Sequence, residues 1–146
     1  MHATVRSILT AQPKSANAVT ITDMEAGVEV LSRGTPRASD VLLVIAEPYF
    51  KSLETAGRVK TMAQELGIPH VYAVSNKVRT DTERKAIETF CAKQGIEIIA
   101  EIPYDEKFVE AAFIPQSPID FDASMPGVQA VMGLARALAQ RHLKSI

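Results

Sequence analysis

The sequence lacks residues that several classes of protein need. It has 146 residues, no tryptophan and one cysteine, Cys91. A single cysteine excludes an intrachain disulfide framework and a zinc site built from several cysteines. No apolar run is long enough to span a bilayer, and the first residues do not resemble a signal peptide. We therefore expect a cytoplasmic protein that does not interact with a membrane.

An excess of charge of one sign is also missing. The formal net charge is −1, and the basic and acidic residues are scattered along the chain. Because binding to a phosphate backbone needs a clustered basic surface, we expect no nucleic-acid partner. What the sequence does have is apolar residues, at 47% of the chain, enough for the core of a single domain over residues 1–146.

The apolar pattern predicts alternating strands and helices. Short apolar, partly β-branched runs predict four strands, at residues 18–22, 41–46, 70–75 and 96–102. Helical periodicity predicts helices over the first dozen residues and over 52–66, 81–94 and 126–143. This order favours an α/β fold with a parallel sheet flanked by helices. The stretch 113–124, rich in proline and aspartate, predicts a long loop over the carboxyl edge of the sheet.

Polar residues follow the predicted strands at the edge where open α/β sheets bind ligands. Asp23 follows the first strand, and a carboxylate in that place can hold Mg²⁺ through water. Asn76 and Lys77 follow the third strand, where an amide matches the edge of a purine and a lysine stem can cover the base. Pro103 and Asp105 follow the fourth strand, and Asp105 is a candidate contact to a ribose or a base edge.

Each of these residues also has a purely structural interpretation. Asp23 is equally suited to cap a short helix, and Asn76 is common in ordinary turns. For Asp105, the spacing by itself favours a cap on a helix around residues 107–112. Gly27 lies just after Asp23, and a glycine there lets backbone amides approach a phosphate closely.

Other reactive residues rank lower. Cys91 falls on the inner face of a predicted helix, which indicates a core residue. The three histidines, His2, His70 and His142, lie far apart in the sequence and show no metal-ligand spacing. We predict no function for them.

A resemblance to a known family becomes visible at these residues. The run Asp23-Met24-Glu25-Ala26-Gly27, continuing to Ser32-Arg33-Gly34-Thr35, resembles the switch II segment of the deviant-Walker ATPases. This P-loop family includes the septum-site and chromosome-partitioning ATPases and the nitrogenase iron protein. The form here is most similar to the ATPases that insert nickel during carbon monoxide dehydrogenase maturation. The resemblance spans nearly the whole chain but covers only the C-terminal half of the family, which implies a truncated P-loop NTPase-like fold.

The resemblance implies a role for each candidate residue. Asp23 would be the carboxylate that holds Mg²⁺ through water, and Gly27 the glycine that senses the γ-phosphate of ATP. The implied ligands are ATP or ADP with Mg²⁺.

The base pocket follows from the same resemblance. Asn76 and Lys77 would line the adenine, and Pro103 and Asp105 would close the pocket from the opposite side. In this family, two subunits close around nucleotide and act on a client metalloenzyme, so both a homodimer partner and such a client are implied.

The sequence contains no G-x-x-x-x-G-K-[ST] loop and no cysteine pair. Without that loop there is no cradle for the β- and γ-phosphates, so we expect no ATP hydrolysis by this chain alone and a need for an N-terminal half. Two alternatives remain open: a non-catalytic interaction or regulatory subunit, and a receiver-like phosphoacceptor domain using Asp23, Ser75 and Lys77.

Overall fold

The computed structural model describes residues 19–24, 31 and 35–143. Those residues form a parallel sheet with helices on both sides. The elements are β1 (Val41–Ala46), α1 (Phe50–Glu65), β2 (His70–Val78), α2 (Asp81–Gln94), β3 (Glu97–Pro103), α3 (Glu106–Ala111), α4 (Pro118–Phe121) and α5 (Pro126–His142), preceded by a 3₁₀ turn at Thr35–Ala38. Within this part of the chain, none of the helices combines the length and the apolar character that crossing a membrane requires.

The strand order is β1-β2-β3, and both pairs are parallel. Val41 aligns with His70 and Ala46 with Ser75, so the pairing of β1 with β2 has a continuous register without a bulge. The pairing of β2 with β3 is irregular near its end, where Val78 comes to lie opposite Pro103. All three carboxyl ends therefore meet at one edge of the sheet. The predicted α/β architecture is confirmed.

The main core lies between the sheet and helices α1 and α2. Alternate residues of β1 and β2 point into it, and small or aliphatic helix residues complete it; its members include Leu42, Val44, Ala46, Ala56, Ala63, Ala73, Ile87 and Cys91. Cys91 is 1% exposed, as predicted, and burial raises the pKa of its thiol. A buried thiol with a raised pKa is unreactive, so Cys91 contributes packing.

Helix α5 covers the opposite face of the sheet. Successive residues of a strand point to opposite faces, and Ala73 lies in the main core while the hydroxyl of its neighbour Tyr72 meets His142 of α5. Helix α5 packs mainly against β3. Ile45 of β1, which shares the face of Tyr72, remains 52% exposed. This face is therefore better covered at β3 than at β1.

Local signals account for the boundaries of α2. The Thr80 side chain accepts a hydrogen bond from Glu83 N, and the Glu83 side chain accepts one from Thr80 N, so the two residues form a capping box. Gly95 ends the helix in the left-handed conformation, with φ of 62°. Helices α1 and α5 also lie where the periodicity placed them, within two residues.

Two predictions about local structure are wrong. Residues 19–24 form neither helix nor strand, and Val19 and Ile21 are 64% and 88% exposed. A strand needs a neighbour to complete its hydrogen bonds, and the described sheet offers only three strands rather than four. The stretch 113–124 is also not all loop, because Ser117 caps the short helix α4 by accepting a hydrogen bond from Asp120 N. The helix predicted over the first dozen residues lies outside the described residues.

Candidate functional site

The carboxyl ends of β2 and β3 bring several of the predicted site residues to one edge. Asn76 and Lys77 belong to the last residues of β2 itself, rather than to a turn after it. Pro103 ends β3, and Tyr104 N donates a 2.9 Å hydrogen bond to the carbonyl of Val78. This bond keeps the two strand ends together after the sheet pairing stops, so Asn76 and Pro103 lie on adjoining strands.

Lys77 has an unusual backbone conformation for its residue type. Its φ is 57°, in the left-handed region that non-glycine residues rarely adopt. It lies at the irregularity in the pairing of β2 with β3. Strained backbone conformations of this kind occur preferentially at functional sites, so Lys77 is a candidate for one.

The Lys77 side chain is paired with Glu47, which follows β1. Its Nζ lies 2.7 Å from Glu47 Oε1, and this hydrogen bond and charge raise the pKa of Lys77. Glu47 is held in turn, because its backbone N–H donates a 2.9 Å bond to Ser52 Oγ. Sequence reasoning missed Glu47, although it is the first polar residue after the second predicted strand.

A cation–aromatic stack joins the ends of β2 and β3. The guanidinium carbon of Arg79 lies 3.8 Å from the centre of the Tyr104 ring. The backbone N–H of Arg79 donates a 2.7 Å bond to the Glu83 carboxylate, so the arginine is tied to the start of α2 as well. Sequence reasoning missed this pair also, because its contact depends on the register of the strands.

Asp105 has the capping role that the spacing indicated, and one of its two carboxylate oxygens is left unpaired. Its Oδ1 accepts a 3.0 Å hydrogen bond from Lys107 N, so the carboxylate caps α3 as the spacing indicated. Its Oδ2 is buried and has no hydrogen-bond partner in the structure. Leaving a buried polar atom unpaired costs free energy, and a ligand that donates a hydrogen bond would remove that cost. Asp105 Oδ2 therefore lacks the hydrogen bond that a buried carboxylate oxygen usually makes.

The residues predicted to bind phosphate and Mg²⁺ do not join those predicted to bind the base. Asp23 is exposed and lies in the irregular segment 19–24, so its predicted place at the end of a strand is wrong. The next residue, Met24, packs against the main core. Gly27 lies outside the described residues. Across residues 19–24, 31 and 35–143, the structure contains no group of three or more histidine, cysteine, aspartate or glutamate side chains able to hold a metal.

The receiver-like alternative gains no support from this geometry. Ser75 is 2% exposed and aligns with Ala46 inside the sheet. Lys77 is engaged by Glu47, and Asp23 lies outside the three-stranded sheet. A receiver-like site needs these three polar groups together at exposed strand ends.

At the opposite, amino end of the sheet, the fold brings two histidines together. The ring centres of His70 and His142 are 4.6 Å apart, and His142 Nε2 lies 3.2 Å from the hydroxyl of Tyr72. Burial lowers the pKa of His142, as do His70 and the charge of Arg141, while Asp40 opposes them. Distance along the sequence therefore did not predict distance in the fold for this pair.

Comparisons with known proteins agree with the fold. The chain is 37% identical over 105 residues to an uncharacterized ATP-binding protein of Methanocaldococcus jannaschii, matching 72% of this chain and 40% of that protein. It is 32% identical over 104 residues to the carbon monoxide dehydrogenase accessory protein CooC of Rhodospirillum rubrum, matching 71% of this chain and 39% of CooC. No protein-family profile matches.

A solved structure shows the same architecture. The MinD cell division protein of Aquifex aeolicus superposes with a TM-score of 0.65 and 23% identity, over 84% of this chain and 50% of MinD. At that identity the likeness establishes the fold alone. The chain spans less than half the length of the two relatives above and matches half of the MinD chain.

Proposed function

Because the chain is homologous to part of the CooC- and MinD-like deviant-Walker proteins, we propose that it is the base-binding half of an ATP-binding switch protein. One observation carries the proposal: the buried, unpartnered Oδ2 of Asp105 at the edge where β2 and β3 end. Among the ligands that homology suggests, adenine carries a fitting donor, its exocyclic amino group. That group would donate to Asp105 Oδ2.

Neighbouring residues support a flat, polar-edged ligand. Asn76 supplies an amide able to donate and accept at the base edge. The stem of Lys77 covers the base while Glu47 holds its ammonium group to one side. Pro103 and the Arg79–Tyr104 stack limit the pocket on the side of β3.

In this proposal, another polypeptide segment binds the phosphates of ATP. The chain has no G-x-x-x-x-G-K-[ST] sequence, so it does not hydrolyse ATP alone. A phosphate-binding half, or a second subunit, supplies that loop, and Asp23 and Gly27 then face Mg²⁺ and the γ-phosphate. Within the described residues, β1 lies at the edge of the sheet and Ile45 is exposed on a face that parallel sheets usually bury, and both features favour a partner chain.

A client protein is the last part of the proposal. The relative CooC is named as an accessory protein of carbon monoxide dehydrogenase, and we extend a role with a metalloenzyme client in the cytoplasm to this chain. Nickel transfer is not included, because the sequence has no cysteine pair to carry the metal.

Substitution of Asp105→Asn tests the base contact. The asparagine keeps an oxygen to cap α3 but replaces the unpartnered Oδ2 with an NH₂ donor. We expect calorimetry to show ATP binding weakened about 10- to 100-fold, the loss of one hydrogen bond to a charged group. Inosine triphosphate carries an acceptor in place of the amino group. Its binding to Asp105→Asn should therefore weaken less than ATP binding does, or improve.

The matched control is Asp81→Asn, an exposed carboxylate in the first turn of α2. It should bind ATP like the original chain. No ATP binding by the original chain, with or without a phosphate-binding half, would contradict the proposed function. Equal ATP affinity in Asp105→Asn and Asp81→Asn would contradict the assigned role of Asp105.

A non-catalytic interaction subunit is a second candidate, favoured by one surface. Four exposed apolar side chains lie within and between α3 and α4: Val109, Phe113, Ile114 and Ile119. Several exposed apolar side chains so close along the chain favour a contact with another protein. ATP binding in calorimetry distinguishes the two candidates, because an interaction subunit would show none.

A further inference from the structure

The first turn of α5 contains a glycine for a steric reason. A β-carbon placed on Gly127 would lie 2.1 Å from Cε2 of Phe108 and 3.1 Å from two further ring atoms. Gly127 is buried, and its neighbour Pro126 starts the helix. No side chain fits at position 127 unless the Phe108 ring moves away. The contact therefore requires glycine for its volume, not for an unusual backbone conformation.

Phe108 belongs to the helix that Asp105 caps. Helix α3 has six residues, too few for a helix to be stable by itself, so its orientation depends on what it packs against. Its anchors include the half-buried Phe108 ring against Gly127 and an ion pair of 2.7 Å between Lys107 Nζ and Asp122 Oδ2. Ala111 at the end of α3 is buried as well, at 2% exposed, while the ring is the apolar anchor near the start of the helix. A shift of Phe108 would displace the first turn of α3 and loosen the Asp105 cap that begins it.

We propose that Gly127 is a positioning residue for the base pocket: by admitting the Phe108 ring, it orients α3 so that Asp105 caps the helix through Oδ1 and offers Oδ2 to the ligand. This inference rests on the proposed function for the identity of the ligand. The orientation of Asp105 itself does not depend on that function. It is a property of the protein without nucleotide.

Helix α5 provides a matched control at Gly133. A β-carbon there meets nothing within 4 Å, and the residue is exposed. Replacing either glycine with alanine improves helix propensity in the same direction. A difference between Gly127→Ala and Gly133→Ala therefore reports the contact with Phe108 rather than a general effect of alanine on α5.

Two measurements test the proposal. The first is hydrogen exchange at the amide of Lys107, whose N–H donates to Asp105 Oδ1. The second is calorimetry with ATP and with inosine triphosphate. In Gly127→Ala we expect faster exchange at Lys107, at least about tenfold weaker ATP binding, and a smaller preference for ATP over inosine triphosphate. Gly133→Ala should match the original chain in all three.

A compensating substitution separates positioning from general destabilisation. The double variant Gly127→Ala with Phe108→Leu replaces the ring with a smaller side chain, and it should recover slow exchange at Lys107 and the preference for ATP. General destabilisation would weaken both nucleotides equally and would not be rescued.

The possible failures are distinguishable. Unchanged exchange at Lys107 in a folded Gly127→Ala variant would overturn the positioning role, whatever the nucleotide result. A folded double variant without any recovery would overturn it too. If the original chain binds no nucleotide, the proposed function fails, and with it the part of this inference that concerns the ligand.

Discussion

The left-handed backbone of Lys77 makes a sharp prediction about stability. At a φ of 57°, the β-carbon of any L-residue crowds the following carbonyl, and glycine has no β-carbon. The informative comparison is between Lys77→Gly and Lys77→Ala. Both variants lose the ion pair with Glu47, so the difference between them isolates the backbone conformation.

The expected difference follows from two opposing effects. The left-handed conformation costs a non-glycine residue about 1–2 kcal/mol. Glycine in an ordered position costs about 0.5–1 kcal/mol relative to alanine, because it is more flexible when unfolded. We therefore expect Lys77→Gly to be more stable than Lys77→Ala by about 0.5–1 kcal/mol. At Lys85, an exposed position inside α2, the order should reverse, with glycine about 1 kcal/mol less stable than alanine.

Urea unfolding followed by circular dichroism measures the four variants under one condition. With a slope of about 2 kcal/mol per molar urea, the expected gap at position 77 is about 0.25–0.5 M between unfolding midpoints. The two positions should show gaps of opposite sign. If glycine is less stable than alanine at position 77 by as much as at position 85, the backbone of Lys77 is not left-handed and the argument for a strained site fails.

Two further predictions concern the fold and its pH dependence. Thr80→Ala removes the cap of α2 and should lower the free energy of unfolding by about 1 kcal/mol. As a control, the substitution Thr82→Ala at an exposed neighbouring position should change it by less than about 0.5 kcal/mol. Equal effects of the two substitutions in thermal unfolding would contradict the capping box. The lowered pKa of His142, caused by burial and then by His70 and Arg141, means that the unfolded chain binds the proton more readily. The free energy of unfolding should therefore be retained above the ordinary pKa of 6.5 and fall as the pH drops through that value toward the lowered pKa. In urea titrations between pH 8 and 5, His142→Gln should make this dependence on pH less steep. The same dependence of the free energy of unfolding on pH in both proteins would refute the argument.

Much of the secondary structure could be predicted because its signals are local. Apolar periodicity placed three strands and three long helices within a few residues of their observed bounds, and Thr80, Gly95 and Pro126 lie at helix ends in the structure. The stretch 18–22 shows the limit of such signals. It has the composition of a strand, yet its described residues are not in one, since pairing depends on a neighbour that composition does not supply.

The candidate site was predictable in part. The rule that ligands bind at the carboxyl ends of strands led to Asn76, Lys77, Pro103 and Asp105, and those residues do follow or end neighbouring strands. Whether they bind nucleotide stays a prediction. The same rule did not reveal that Asp105 uses one oxygen for a cap and leaves the other buried, because that division depends on where α3 packs.

Local sequence patterns were therefore enough to predict the order of the elements, the apolar side of each and the edge at which polar residues collect. These features depend on neighbours a few residues apart, through helix caps, turns and the alternation of side chains. The folded chain, in contrast, shows three contacts that no local pattern predicted: Lys77 with Glu47, Phe108 with Gly127 and His142 with Tyr72. Those contacts join residues distant along the chain, and they require a strand register and a helix packing that no local pattern specifies.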